Sequence, residues 1–276
     1  MNNRTTAIQR QFNRSAEGSY DFHADVQRIM ADQLAKSLIE WSSMGHAAEP
    51  TILEVGSGTG YLTELLLNRW PHASITALDL SPAMIKAAKQ RLHSRQSADI
   101  RFLQADAETW AAEAPSDSFD LIVSNACFQW LGHPRPTLIH LNRILRKGGA
   151  LVFTTFGQET FQELHQAFAE VYHANRLEPQ RHGLSFLSPI QWNEVLKVAG
   201  FSTIYCQQET QKETYASPRD FLQSIKAMGA SHSKAVQTGG LSTRKLFSEM
   251  YNVYEEKFST KDGVAATYEW LLIKAK

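Results

Sequence analysis

The sequence predicts a doubly wound α/β fold: seven mostly parallel strands with helices on both faces, an N-terminal helical extension, and a helical cap inserted before the last strand. Three observations predict it. From Thr51 onward, short apolar runs alternate with helical patterns, which is what a parallel sheet with crossover helices requires. A glycine-rich turn, Gly56-Ser57-Gly58-Thr59-Gly60, follows the first of those runs. A second helical block separates the last two candidate strands.

The elements follow in order. Residues 1–23 form the N-terminal extension. From Ala24 to Trp41, Val26, Ile29, Met30, Leu34, Leu38 and Trp41 recur at helical spacing, so an amphipathic helix precedes the first strand. Residues 51–55 read as strand, 61–69 as helix, 74–79 as strand and 82–92 as helix. Further strands are expected at 100–105, 119–125 and 150–156. Ser81-Pro82 and Ser188-Pro189 each place a capping hydroxyl before a proline suited to the first helical position, so helices should begin there. Lys147-Gly148-Gly149 should close a helix just before the fifth strand. The last third supplies strands at 203–215 and 267–274, with helices at 217–228 and 242–258 between them. The expected organisation is therefore an extension and lid over 1–45, a core over 46–215, a cap over 216–262, and a last core strand over 263–276.

Bulk composition limits the function. Lysine plus arginine equal aspartate plus glutamate at 28 each, so the overall field gives no reason to expect nucleic acid or an anionic membrane as partner. The two cysteines, Cys127 and Cys206, lack any metal-ligand spacing, which implies neither a zinc site nor a disulfide framework. No apolar signal core and no bilayer-length run is present, and a cytoplasmic enzyme is expected.

A glycine-rich turn between a strand and a helix lets a ligand approach the backbone, and the helix start offers free N–H groups. A nicotinamide site is one reading of such a turn. Its fingerprint, however, needs a third glycine where Tyr61 stands, and here the acidic Glu54 lies two residues before Gly56. Asp79 ends the second strand about 20 residues beyond the loop, where a carboxylate can accept from both ribose hydroxyls. Leu80 follows it. Asp106, Ala107 and Glu108 end the third strand, and Asn125 ends the fourth, just ahead of Gln129 and Trp130.

This set of strand ends resembles the motifs of class I S-adenosylmethionine methyltransferases, whose core is a Rossmann-like sheet. The resemblance implies S-adenosylmethionine as cofactor and S-adenosylhomocysteine as product. It assigns Glu54, Gly56, Ser57, Gly58, Gly60, Asp79, Leu80, Asp106, Ala107, Glu108 and Asn125 to the cofactor.

Segments outside the core narrow the resemblance. Phe12-Asn13-Arg14-Ser15-Ala16 with Tyr20 and His23-Ala24, then Glu163-Leu164-His165-Gln166-Ala167, Ala174-Asn175-Arg176 and Ile225-Lys226-Ala227-Met228-Gly229-Ala230-Ser231-His232 look like the BioC family of malonyl-acyl carrier protein O-methyltransferases. Where that pattern has a proline shortly before the tail, this sequence has Val264-Ala265. The resemblance implies methylation of a malonyl thioester carboxylate in early biotin synthesis. The competing expectations are a methyltransferase for a free small carboxylic acid and an NAD-dependent oxidoreductase.

The chemistry suits a chain with no evident base. A carboxylate, with a reference pKa of about 4, is already ionised at neutral pH, so catalysis reduces to positioning and exclusion of water. Tyr20 and His23 are the expected catalytic lining. Gln129, Trp130, Arg176, Lys226 and His232 are the expected substrate contacts. An acidic acyl carrier protein bearing malonyl-phosphopantetheine, or malonyl-coenzyme A in its place, needs a basic approach. Between residues 219 and 245 the basic side chains are Arg219, Lys226, Lys234, Arg244 and Lys245 against the single acid Asp220. Lys234, Arg244 and Lys245 are therefore the expected docking residues, and a monomer is the expected state.

Overall fold

The computed structural model describes residues 3–16, 20–43, 48–95, 98–228 and 242–276. Three helices come first: α1 (Asn3–Ala16), α2 (Tyr20–His23) and α3 (Asp25–Ser43). The alternating part follows as β1 (Thr51–Val55), α4 (Tyr61–Arg69), β2 (Ser74–Asp79), α5 (Pro82–Arg91), β3 (Ile100–Gln104), α6 (Ala107–Glu113), β4 (Phe119–Asn125), α7 (Pro134–Ile144) and β5 (Leu145–Phe156). After it come α8 (Gln162–Ala174), α9 (Pro189–Val198), β6 (Ile204–Tyr215), α10 (Pro218–Ala227), α11 (Thr243–Phe258), the two-residue β7 (Ser259–Thr260) and β8 (Gly263–Ala275).

The sheet runs β3-β2-β1-β4-β5-β8-β6, with β7 attached to β8. Strands β1 to β5 pair in parallel, and β8 inserts antiparallel between β5 and β6. This is the seven-stranded, mostly parallel sheet that the sequence predicts, with β7 as a small addition. The chain order reverses at β1 and β4, which opens a crevice above their carboxyl ends, where ligands bind in doubly wound sheets.

Strand alternation divides the core in two. Ile52, Ile75, Leu121 and Val152 face one side, with Leu34 and Leu38 of α3 and Leu62 and Leu66 of α4. Their neighbours Leu53, Leu78, Ile122 and Leu151 face the other, with Leu138 and Leu141 of α7 and Trp192 and Leu196 of α9. Both faces are buried, so the strands read as continuous apolar runs.

The helix starts form as their caps dictate. Ser81 accepts from the Met84 N–H, and Ser188 forms a capping box with Gln191. One expected boundary is wrong. Lys147-Gly148-Gly149 does not end a helix: α7 stops at Ile144, and Leu145–Gly149 already belongs to β5 because Leu145 pairs with Phe119 before a register shift. The walls of the cap also draw on more than 216–262, since Phe168 of α8 meets Phe247 of α11 edge to face at 5.4 Å.

Candidate active site

The glycine loop is shaped by its neighbours. Gly56 and Gly58 both have positive φ, at 76° and 53°, a region costly for side-chain-bearing residues. A Cβ at Gly56 would overlap the Cys127 side chain, whereas one at Gly58 would meet nothing within 4 Å. Gly56 is thus small for packing, and Gly58 faces open space. The Gly56 and Ser57 N–H groups donate to the Leu78 carbonyl at 2.8 and 3.0 Å, which ties the loop to β2.

Asp79 holds the far wall. One of its oxygens accepts from the Gly58 N–H and the other from the Ser81 N–H, both at 2.8 Å. Burial pushes its carboxyl up to about 6, against the pull of those backbone donors. Asp106 caps α6 by accepting from the Glu108 N–H at 3.0 Å. Together Gly56, Gly58, Asp79, Leu80, Asp106 and Ala107 line one trough above β1, β2 and β3.

The extension roofs that trough through contacts that sequence reasoning did not assign. Gln9 donates to the Leu80 carbonyl at 2.9 Å, Ser81 donates to Asn13 at 2.7 Å, and Thr5 donates to Asp106 at 3.3 Å. Phe12 packs edge to face on Trp130 at 5.3 Å. Helix α2 is clamped beside the glycine loop, where Asp21 accepts from Thr59 at 2.7 Å and pairs with Arg91 at 2.5 Å.

A second hollow lies across the glycine loop, walled by Glu54, Ser57, Thr59, Tyr20, Gln27 and Asn125. Ser57 has a buried hydroxyl oxygen without a partner there, a group that a polar ligand satisfies. The Glu54 carboxyl instead accepts from Thr63 at 2.6 Å, and burial pushes it up to about 8. It braces the loop from behind. Glu108 is likewise committed, accepting from the His133 N–H at 2.6 Å.

A third space, about 230 Å³, lies under the cap. Rings from Phe156, Phe161, Phe168, Phe247 and Tyr268 dominate its wall, with Gln27, Gln129, His165 and His182 as polar exceptions. Burial lowers the pKa of both histidines, that of His165 to about 4 with help from Arg181, so both stay neutral at neutral pH. His182 stacks on Phe168 at 3.6 Å and bonds the Tyr172 hydroxyl at 2.8 Å. Gln129 is spent on the Ala126 carbonyl at 2.7 Å and on Thr155 at 3.1 Å.

Tyr20 borders all three spaces. Burial and the nearby Asp79 carboxylate hold its hydroxyl protonated. Trp130 borders the trough and the cap cavity, and exposed Lys226 stands at the cavity edge.

Two expected contacts lie elsewhere. His23 lines a separate hollow with Glu213, Thr214 and Tyr215, because α2 turns it away from the trough. Arg176 is an exposed residue just past the end of α8, with φ at 54°, and borders none of the three spaces. Arg244 and Lys245 are exposed at the start of α11, Lys245 pairing with Glu249 at 3.6 Å. His232 and Lys234 lie outside the described residues. The missed residues, Gln27, His165 and His182, carry no motif of their own. Glu163 to Ala167 nevertheless contains His165, and its unpaired ring nitrogen marks it in the structure.

The described residues fit a nucleoside cofactor: open space at Gly58, a carboxylate at Asp79, and an orphaned hydroxyl at Ser57. Residues 53–153 match the family model described as a methyltransferase domain. Haemonchus contortus phosphoethanolamine N-methyltransferase 2, solved with S-adenosylhomocysteine, shares the fold with a TM-score of 0.54 and 18% identity, over 87% of this chain and 52% of that one. Fold, trough and match define an S-adenosylmethionine-dependent methyltransferase, which sets aside the nicotinamide reading.

Full-length relatives narrow the class. A malonyl-acyl carrier protein O-methyltransferase of Paenibacillus sp. strain JDR-2 is 76% identical over 275 residues, covering 100% of both chains. Another, from Brevibacillus brevis, is 40% identical over 98% of this chain and 95% of its own. The chain belongs to the malonyl-acyl carrier protein O-methyltransferase family.

Proposed function

We propose that the protein esterifies the free carboxylate of a malonyl group held as a thioester on acyl carrier protein, giving the malonyl methyl ester of early biotin synthesis. The observation that carries this reading is the corner at Tyr20, where a trough fit for a nucleoside opens onto a largely apolar cavity.

When bound, S-adenosylmethionine supplies an electrophilic methyl group on a sulfonium. Asp79 would accept from its ribose hydroxyls, Asp106 would take the adenine end, and Ser57 with Asn125 would face the amino-acid end. A carboxylate oxygen would form the new bond to the methyl carbon while the carbon–sulfur bond breaks toward sulfur. No proton is transferred, so the absence of a base among Tyr20, Gln27 and Gln129 is no obstacle. Tyr20 and Trp130 hold the reacting ends together, and the aromatic wall keeps water out.

The acyl arm enters past Lys226. Arg244 and Lys245 form the basic approach that an acidic carrier needs, since Phe247, one turn beyond Arg244, is already in the cavity wall; Lys234, which the sequence adds to them, lies outside the described residues. A cytoplasmic location and a monomeric state are proposed alongside it. The test is incubation of the protein and labelled cofactor with malonyl-carrier protein and, separately, with free dicarboxylates. Label on the carrier-bound malonyl group supports the reading. Label on the free acids alone contradicts it.

A further inference from the structure

The polar groups left unsatisfied under the cap point to one residue. Gln27 sits in the first turn of α3 and is 9% exposed, yet its Oε1 has no partner. Its Nε2 reaches only a sulfur, Met228 Sδ, at 3.2 Å. A thioether is a weak acceptor, so a buried carboxamide with four hydrogen-bonding positions is left almost wholly unsatisfied. Folding alone gives no reason for such a cost.

Its backbone, by contrast, is fixed. The Gln27 carbonyl accepts from Asn125 Nδ2 at 3.0 Å, and Asn125 Oδ1 in turn accepts from the Thr154 hydroxyl at 2.6 Å. The ends of β4 and β5 therefore set where the carboxamide lies. Among the described residues, only Tyr20 and Gln27 line both the cap cavity and the hollow across the glycine loop.

Other groups in the cavity are less suited to hold a carboxylate at that corner. The Gln129 amide is already bonded through both its oxygen and its nitrogen. Lys226 is exposed at the cavity edge, where water screens it. His182 is anchored to Tyr172, and His165 belongs to α8 on the cap side.

We infer that Gln27 is a catalytic residue whose carboxamide N–H binds the non-attacking oxygen of the substrate carboxylate, exchanging its weak bond to Met228 for a charge-assisted one. A neutral donor orients the carboxylate without neutralising the oxygen that attacks, which a lysine or arginine would do. The amide nitrogen carries two N–H groups and Met228 takes only one of them, so the same side chain can present an N–H to the corner.

This inference rests on the carboxyl-methylation reading, and the experiment separates the two. Wild type, Gln27→Leu and the near-isosteric Gln27→Glu are compared for methyl transfer to malonyl-carrier protein. S-adenosylhomocysteine affinity is measured in each, with binding of malonyl- and butyryl-coenzyme A. Gln27→Leu should lose about 10- to 100-fold in kcat/KM and in malonyl-thioester affinity, as expected for one charge-assisted hydrogen bond. Butyryl-thioester and S-adenosylhomocysteine affinities should stay within about twofold. Gln27→Glu should be worse than Gln27→Leu on the malonyl thioester, through repulsion between like charges. Wild-type transfer with an unchanged kcat/KM in Gln27→Leu overturns the inference, as does an equal loss of butyryl or S-adenosylhomocysteine binding. No transfer by wild type overturns the function reading instead.

Discussion

Asp79 and Glu54 show how burial sets the chemistry of single residues here. Asp79 accepts from a ribose most strongly when ionised, and its carboxyl is pushed up to about 6 in the free protein. S-adenosylhomocysteine affinity should therefore fall as pH drops below about 6, a slope that calorimetry between pH 5 and 8 would reveal and that Asp79→Asn should abolish. Asp79→Ala should weaken that binding by about 1–3 kcal/mol at neutral pH, and an unchanged dissociation constant would refute the role. Glu54 acts on stability. Its folded carboxyl is raised from 4.5 to about 8, so across that window the folded state binds the proton that the unfolded state has released. Folding stability then declines as pH rises from about 4.5 to about 8, and Glu54→Gln should flatten that decline in chemical denaturation. Both acids are visible in the sequence because each abuts the glycine loop or ends a strand. Gln27, His165 and His182 are not, because what marks them is an unsatisfied atom in a cavity that exists only once the cap is packed.

Helix α1 shows what local sequence conveys about an element and what it does not. It is expected only as part of a helical extension, whereas the caps at Ser81 and Ser188 are legible in their dipeptides. Its placement over the trough is not legible, since Thr5, Gln9 and Asn13 find partners at Asp106, Leu80 and Ser81, 68 to 101 residues away. Deleting residues 1–16 should leave the sheet folded, because α1 contributes little to either core cluster. S-adenosylhomocysteine affinity should fall at least about tenfold, roughly 1.4 kcal/mol, for the lost roof. A circular-dichroism melt alongside calorimetry separates these effects, and retained affinity would show that the roof is not part of the site. The early start of β5 was hidden for a related reason. Gly148 and Gly149 read as a break, but Leu145 finds a partner in Phe119.

At the scale of the whole molecule, the alternation of apolar runs and helices carried the fold class, because a doubly wound sheet repeats one local pattern. The cap is less legible: its cavity combines α8, α10 and α11 with β8, and no single stretch encodes that meeting. A neutral chain with basic residues gathered near the cap suggests that recognition is local. Reversing charge at Lys234, Arg244 and Lys245 should raise KM for the carrier-linked substrate several-fold and spare a coenzyme A analogue. Equal effects on both substrates would show that these residues are not a docking surface. All of this converges on one event, the passage of a single methyl group to the free carboxylate of a carrier-bound malonyl group. Intact-protein mass spectrometry tests it most directly, with malonyl- and acetyl-carrier protein each incubated with enzyme and S-adenosylmethionine. A gain of one methyl on the malonyl carrier and none on the acetyl carrier is the expected result; an unmodified malonyl carrier, or equal methylation of both, would overturn it.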